Sequence, residues 1–231
     1  MNTEQTHLSY SSWKSQSILR HLDVEELTYM EEATEIRHYK KGESIFLQGK
    51  RIAGCYVVLS GIVKQFKTGG EGRNYIIRLA KPYEILGYRS VLSGDPACHT
   101  SSVLEDSDVC YIPKECLHHF VQTNGNFALD LLQIACRELE ESHSLITDIA
   151  QKSVKERLAE LLLTLKNKFG VSEKGQINIV LSREELANVV GTATESVIRI
   201  LSEFRADKLI DMNGKKITIL NEKVLEKIAI L

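Results

Sequence analysis

LSREELANVVGTATESVIRILSEFRADKLI, residues 181–210, continuing into DMNGKKITIL, residues 211–220, is the stretch that decides the fold of this chain. Ser182-Arg183-Glu184-Glu185 has the form of a capping box: the Ser182 hydroxyl can accept from the amide three residues on while Glu185 reaches back, so a helix starts there. That helix runs through Leu186, Ala187 and Val190 and meets Gly191. Thr192, a second cap candidate, precedes a second helix whose apolar face is Val197, Ile200, Leu201 and Phe204. Two short helices joined through a glycine turn make a helix-turn-helix. Leu209 to Leu220 then reads as two strands around an Asn213-Gly214 turn, a strong hairpin signal. A helix-turn-helix followed by a hairpin is a winged helix.

The second helix carries Thr194, Glu195, Ser196 and Arg199 near its N-terminal end, beside or opposite the apolar stripe. Arginine presents a donor fork that matches O6 and N7 of guanine, and glutamate accepts from cytosine N4. A Glu-Arg pair four residues apart can therefore read neighbouring base pairs in a major groove. The plain alternative is a surface ion pair, which such spacing usually is. Arg183, opening the first helix, is placed to touch a phosphate, which adds affinity but little sequence information. With Thr192 in the turn, the expected DNA-binding set is Arg183, Thr192, Thr194, Glu195, Ser196 and Arg199.

Outward from this stretch, 231 residues with 43% apolar and 26% charged side chains suit one large or two small soluble domains. Collagen-like, disordered and membrane-spanning classes are excluded. The longest apolar run, Cys55–Leu59, is far too short for a membrane helix, and MNTEQTHLSYSSWK at the start lacks a signal-peptide core. A cytoplasmic location is expected. The five cysteines are scattered without a C-x-x-C pair, as for reduced thiols. Residues 1–150 carry 15 Lys+Arg against 20 Asp+Glu, a net −5, while 151–231 carry 14 against 11, a net +3. A mildly basic rear permits a nucleic-acid partner without requiring one.

Ser15 to Glu35 reads as short helices, with Ile18, Leu22, Leu27 and Met30 at helical spacing. From Ile36 to Pro113 come short runs, SIFLQG, GCYVVLSGIVKQFK, NYIIRLA and DVCYIP, separated by Gly42, Gly49, Gly54, Gly61, Gly69-Gly70, Gly72, Gly87 and Gly94. This pattern predicts an antiparallel sandwich or barrel, with Gly69-Gly70-Glu71-Gly72 as a hairpin tip. Phe127 to Phe169 is one long helical pattern, divided into two helices around Ala150-Gln151-Lys152 where the apolar phase resets, and ended by Gly170. Leu132, Ala135, Leu139, Ser142, Ile146 and Ile149 follow alternating steps of three and four, the seam of a coiled coil. We read it as a dimer helix; the alternative is a long helix lying on its own β domain. The expected fold class is α+β, with a β-roll and N-terminal helices over 1–126, a dimerisation helix over 127–150 and a winged helix-turn-helix over 151–231.

On these motifs the chain resembles the CRP/FNR family of bacterial transcription regulators, over nearly its whole length. The rear is similar to the family's DNA-binding domain. KKGESIFLQG, CYVVLSGIVKQF and LAKPYEILGYRSVLSGDPACHTSSVLEDSDVCYIP are similar to its cyclic-nucleotide-binding-type β-roll, with Gly42, Gly49, Gly61 and Gly87 at the turns. The resemblance implies a homodimer joined by the long helix, two winged helices on an inverted-repeat site, RNA polymerase as a further partner, and an effector at the junction of β-roll and long helix. It places Glu195 and Arg199 at the positions that read the core of each half-site. Thr194 stands where the cAMP-binding branch has arginine and Ile198 where the FNR branch has serine, so the outer bases are unassigned.

The effector pocket departs further from the family pattern. The cAMP-binding branch follows its glycine with a glutamate for the ribose and uses an Arg-Ser pair for the cyclic phosphate; here Tyr88 follows Gly87, and His99-Thr100 are the nearest counterparts of that pair. Losing both anchors speaks against cAMP, since a buried phosphate needs a paired cation. Gly87, Tyr88, Arg89, His99, Thr100, Ser142 and His143 are the candidate pocket residues, Arg89 as a displaced cation and Ser142 where the family's helix offers a hydroxyl. No cysteine precedes Cys55, which speaks against an FNR-type iron-sulfur cluster. Haem is allowed by His21, His38, His99, His118, His119 and His143 but not pointed to by their spacing, and Cys98-His99 is too small a set for a metal site. The effector is left unidentified. No catalytic motif or paired carboxylate is found, so no enzyme is expected. A rival of another class is a small-molecule or redox sensor whose winged helix docks a protein.

Overall fold

The computed structural model describes residues 16–70 and 72–230. They divide into two compact units, one made of the chain up to Lys67 with Ile77–Leu139, the other of Thr68–Ile76 with the chain from Glu140 onward. The stretch read for a signal peptide, residues 1–14, lies outside the described residues, as do Ser15 and Glu71.

In the first unit a 3-10 turn, Ile18–His21, leads into α1, Val24–Ala33, which opens on a reciprocal capping box between Asp23 and Glu26. Eight strands follow, of which Thr68 and Asn74–Ile76 are counted in the second unit: β1 (Glu35–Tyr39), β2 (Ser44–Phe46), β3 (Gly54–Val58), β4 (Val63–Thr68), β5 (Asn74–Ala80), β6 (Ile85–Leu86), β7 (Thr100–Val103) and β8 (Ser107–Pro113). They form two four-stranded sheets, ordered β1-β8-β3-β6 and β2-β7-β4-β5. β8 pairs antiparallel with both β1 and β3, and β7 with both β2 and β4. The glycine-punctuated runs predict an antiparallel sandwich or barrel, and these two antiparallel sheets are the β-roll that the family resemblance implies.

β3 explains how the sheets and helices share a core. Its side chains alternate in direction. Cys55 and Val57 join Ile112, Leu117, Phe120, Phe127 and Leu131 in one cluster, while Tyr56 and Val58 join Phe46, Val63, Val103 and Val109 in the other. Both faces are covered, so the strand is a continuous apolar run and not an alternating one. Gly54, taken from sequence as a separator, is the first residue of β3; a Cβ there would lie 2.2 Å from the Ile112 carbonyl oxygen. At the expected hairpin tip, Gly72 has φ +74° but Gly69 and Gly70 do not take positive φ.

Helices interrupt and follow the strands. α2, Tyr88–Ser93, lies between Gly87 and Gly94, both left-handed, in a region read from sequence as strands and turns alone. One and a half turns are too short to establish a helical period. α3 (Lys114–Thr123) leads to α4 (Gly125–Gln151), which carries the chain into the second unit. α5, Val154–Phe169, starts at a Ser153–Glu156 capping box and stops at Gly170, so the break at Lys152-Ser153 overlaps the expected bend.

The rest of the second unit comprises α6 (Arg183–Val190), α7 (Thr194–Ala206), the hairpin β9 (Ile210–Asn213) and β10 (Lys216–Ile219), and α8 (Glu222–Ala229). Leu158, Leu162, Leu186, Val197, Leu201, Phe204 and Leu225 are among its buried core residues. Two details differ from the sequence reading. Ala193 and not Thr192 precedes the first turn of α7, with no side-chain cap; the Thr192 amide bonds back to the Ala187 carbonyl, which places it in the C-terminal cap of α6. Asn213 pairs with Lys216, so the wing turns on Gly214-Lys215. α8 was not read from sequence; its signal is the Asn221 cap and the spacing of Val224, Leu225, Ile228 and Ala229.

Gly61 combines φ +82° with a virtual Cβ only 2.1 Å from the Ser107 hydroxyl oxygen and 2.9 Å from the Asp106 carbonyl oxygen. Gly61→Ala is expected to lower unfolding free energy by roughly 2–3 kcal/mol, from a disfavoured backbone plus a clash. Gly70→Ala, with nothing within 4 Å of its Cβ, should be nearly neutral. Urea unfolding of the two variants against the parent protein checks the contrast.

Candidate functional site

α6 is fixed at its start by reciprocal bonds: the Glu185 amide donates to Ser182 Oγ at 3.1 Å, and the Ser182 amide donates to Glu185 Oε2 at 2.8 Å. It ends at left-handed Gly191, which sharply turns the chain toward α7. In α7, Val197, Ile200, Leu201 and Phe204 are buried, so the opposite face is held toward solvent. Glu195 and Arg199 are on that exposed face, Thr194 and Ser196 are half-buried beside it, and Ile198 is 48% exposed between the two charges.

The Arg199 guanidinium bonds to Glu203, Nη1 to Oε1 at 2.7 Å, rather than to Glu195. Glu203 also receives Lys155 Nζ at 3.4 Å, and these two cations, Lys155 first, hold its carboxyl below the usual range. The pair is exposed and screened, and one engaged N–H leaves four others on the fork.

Arg183 is half-buried, with Nη2 donating to the Gly214 carbonyl at 3.2 Å and to Met212 Sδ at 3.2 Å. Its other terminal nitrogen, Nη1, is buried without a hydrogen-bond partner, and burial lowers its pKa, although a guanidinium stays charged. Arg183 thus ties the start of α6 to the wing. Beside the wing an open groove of about 730 Å³ is lined in part by Lys174, Lys215 and Lys216. The sequence reading missed these lysines because no periodicity joins residue 174 to 215; their only local signal is the basic wing tip.

On α4, Leu132, Leu139 and Ile146 recur every seven residues and are 59, 56 and 65% exposed, with Ile149 at 47%. Ala135 packs partly on the β-roll core, and Ser142 is exposed. The apolar strip therefore lies open along the helix.

The β-roll pocket residues separate into two groups. Tyr88 and Arg89, the first turn of α2, both reach Glu138 of α4: Tyr88 OH donates to Oε2 at 3.1 Å and Arg89 Nε lies 3.4 Å from the same oxygen. Arg78 of β5 grips Glu138 Oε1 through Nη1 and Glu84 through Nη2 at 2.7 Å. Glu138 was missed from sequence, since nothing local links it to Arg78, 60 residues earlier. His99 and Thr100 have other direct partners. Thr100 accepts from the Gln48 amide at 3.0 Å. His99 is 5% exposed and packs its ring 5.6 Å from Phe46; Gly87 adjoins the same ring, because a Cβ there would lie 3.4 Å from it. Its Nδ1 is 3.3 Å from Cys98 Sγ and its Nε2 has no partner. Burial, with Arg89, Arg78 and Lys67 nearby, pushes its pKa down to about 4, so the ring is neutral. His143, beside Ser142, is exposed.

Among the described residues, no group of three or more His, Cys, Asp or Glu is placed to hold a metal, and no helix is long and apolar enough to cross a membrane. Residues 36–124 match the cyclic nucleotide-binding domain family and residues 156–228 the Crp-like helix-turn-helix domain family. The chain is 30% identical over 206 residues to the transcriptional activator protein Anr of Pseudomonas protegens, covering 87% of this chain and 83% of that one. It is 25% identical over 213 residues to the fumarate and nitrate reduction regulatory protein of Vibrio cholerae, covering 90 and 84%. The structure of FixK2 from Bradyrhizobium japonicum superposes with a TM-score of 0.77 at 21% identity, covering 84 and 96%, and shows the same fold. Ladder order, helix-turn-helix and relatives converge: the chain belongs to the CRP/FNR family of DNA-binding transcription regulators, and is not an enzyme.

Proposed function

We propose that the protein is a cytoplasmic homodimer that recognises an inverted-repeat DNA site through α7 and is controlled by an effector at its β-roll. The carrying observation is the two-faced α7, whose buried stripe leaves Glu195 and Arg199 exposed one turn apart. In this reading Arg199 exchanges its screened bond to Glu203 for a bidentate contact to guanine, and Glu195 accepts from a cytosine amine. Thr192, Thr194 and Ser196 supply hydroxyls around them, and Ile198 offers an apolar contact to a thymine methyl. Arg183, with the wing and its lysines, meets phosphate.

The open strip Leu132, Leu139, Ile146 and Ile149, with Ala135 and Ser142 between, is the seam closed by a second copy. Residues 1–126 then sense, 127–150 pair and 151–231 bind DNA. The effector acts only through its different affinity for the two pairings of α4, one of which sets the two α7 helices about 34 Å apart, in successive major grooves. Family membership supports RNA polymerase as the contact that converts binding into transcription.

Selection from random duplexes is expected to enrich a palindrome; absence of enrichment, with or without cell extract, would favour a protein-docking role. Arg199→Ala should cost about 1–3 kcal/mol on the selected site and relax discrimination at one base pair, while Arg183→Ala weakens specific and random DNA alike. Equal losses on both kinds of DNA for Arg199→Ala would refute the base-reading assignment. Leu139→Lys, placing a charge in the seam, should yield monomers without specific binding, which sedimentation together with gel shift can read.

A further inference from the structure

The Glu138 carboxylate is held as a bound ligand is held. Three donors from two elements other than its own converge on it: Arg78 from β5 on Oε1, and Tyr88 and Arg89 from α2 on Oε2. Its side chain is only 11% exposed. Carboxylates on an amphipathic helix ordinarily face water, and drawing this one inward costs desolvation that the arginines must offset. In the same β-roll two further polar atoms are buried without partners, His99 Nε2 and Ser101 Oγ, on side chains 5 and 0% exposed, and the Arg89 and Arg78 charges act on the His99 ring. In the tautomer in which the Cys98 thiol donates to Nδ1, Nε2 carries the ring proton, and it and the Ser101 hydroxyl are then unused donors. A site with donors in excess of acceptors is built for an anion.

We propose that Glu138 is a built-in plug in the β-roll's effector site, and that the effector is a small organic carboxylate that takes its place on Arg78, Arg89 and Tyr88 and also accepts hydrogen bonds from His99 and Ser101. The inference rests on the reading of the β-roll as the sensing domain and names the chemistry it senses. A monoanionic carboxylate fits better than a phosphate for two reasons. The donors are arranged for two oxygens, one taking Arg78 and the other Tyr88 and Arg89. Glu84 already neutralises part of the Arg78 charge, so replacing one carboxylate by another preserves the local balance, whereas a phosphate dianion overshoots it. Glu138 immediately precedes Leu139, whose side chain stands in the open strip of α4. Expelling Glu138 from its grip therefore acts on the helix at the seam, and the ligand needs no contact of its own with a second subunit.

The test is chemical rescue, with acetate as the probe and chloride at equal ionic strength as the control. Thermal midpoints are followed in the full-length parent protein, in Glu138→Ala and in Glu138→Ala/Arg78→Met. Acetate should raise the midpoint of Glu138→Ala by several degrees relative to chloride, and leave the parent and the double variant unmoved. Equal responses to acetate and chloride in Glu138→Ala overturn the proposal. Larger stabilisation by inorganic phosphate than by acetate overturns the carboxylate assignment. If Glu138→Ala does not fold, Glu138→Gln, which keeps the shape and loses the charge, is put through the same comparison with the same expectation. Because no DNA is present, failure here leaves the duplex selection untouched. A failed selection, in turn, would remove the regulator reading without altering the acetate result.

Discussion

Phe204, fully enclosed with Val197, Ile200 and Leu201, is the constraint on which the DNA-facing geometry depends. A helix can present one face outward reproducibly only if the other is captured, and these four side chains supply that capture by removing apolar area from water. Their burial sets the rotation of α7 about its axis and so decides that Glu195, Ile198 and Arg199 meet whatever approaches the surface. The Lys155 ammonium, 5.7 Å from the Phe204 ring centre and in reach of Glu203, joins α5 to the same arrangement. The orientation of this exposed face is thus a consequence of core packing. In the proposed reading the charged residues contribute specificity only because apolar ones hold them still.

Arg183 and Arg199 illustrate two uses of a guanidinium. Arg199 is two-thirds exposed and its one ion pair is weak enough to be exchanged. Arg183 is half-buried and spends donors on the Gly214 carbonyl and Met212 sulfur, bracing the wing against the first helix. The same residue type is therefore left exchangeable in one place, as the proposed reading role requires, and used as a strut in the other, and burial distinguishes them. The β-roll shows a third use in Arg78, which bridges Glu84 and Glu138 and so brings β5, the segment before β6 and α4 to one point. Removing one partner from such a knot leaves an uncompensated charge in a place water reaches poorly, which makes the knot a position that must be either filled or replaced.

The parts legible from residues alone were those governed by interactions a few positions long. The cap at Ser182, the stops at Gly170 and Gly191 and the three-and-four spacing along α4 act within a few turns, and each appears where its local chemistry places it, while the wing hairpin appears with its turn one residue past the expected Asn213-Gly214. The β-roll was legible as a class because alternating runs and glycines recur, although its strand order was not. Short elements were lost: α2 has too few residues for a period, and α8 follows the hairpin on a signal only two turns long. Thr192 was misplaced as a cap because a hydroxyl one residue early looks the same in sequence, and the turn after Gly191 spends one more residue than expected.

Local physics therefore determined the helix-turn-helix, its wing and the polar character of its second helix, since helix caps, glycine turns and periodic burial are written into neighbouring residues. Folding in three dimensions decided which charges meet. Arg78 with Glu138, Arg183 with Gly214, and the stranding of His99 and Ser101 without partners join or isolate residues tens of positions apart. No spacing rule reaches across that separation, because the meeting is arranged by sheet order and core packing, and the donors and acceptors themselves carry no mark of it.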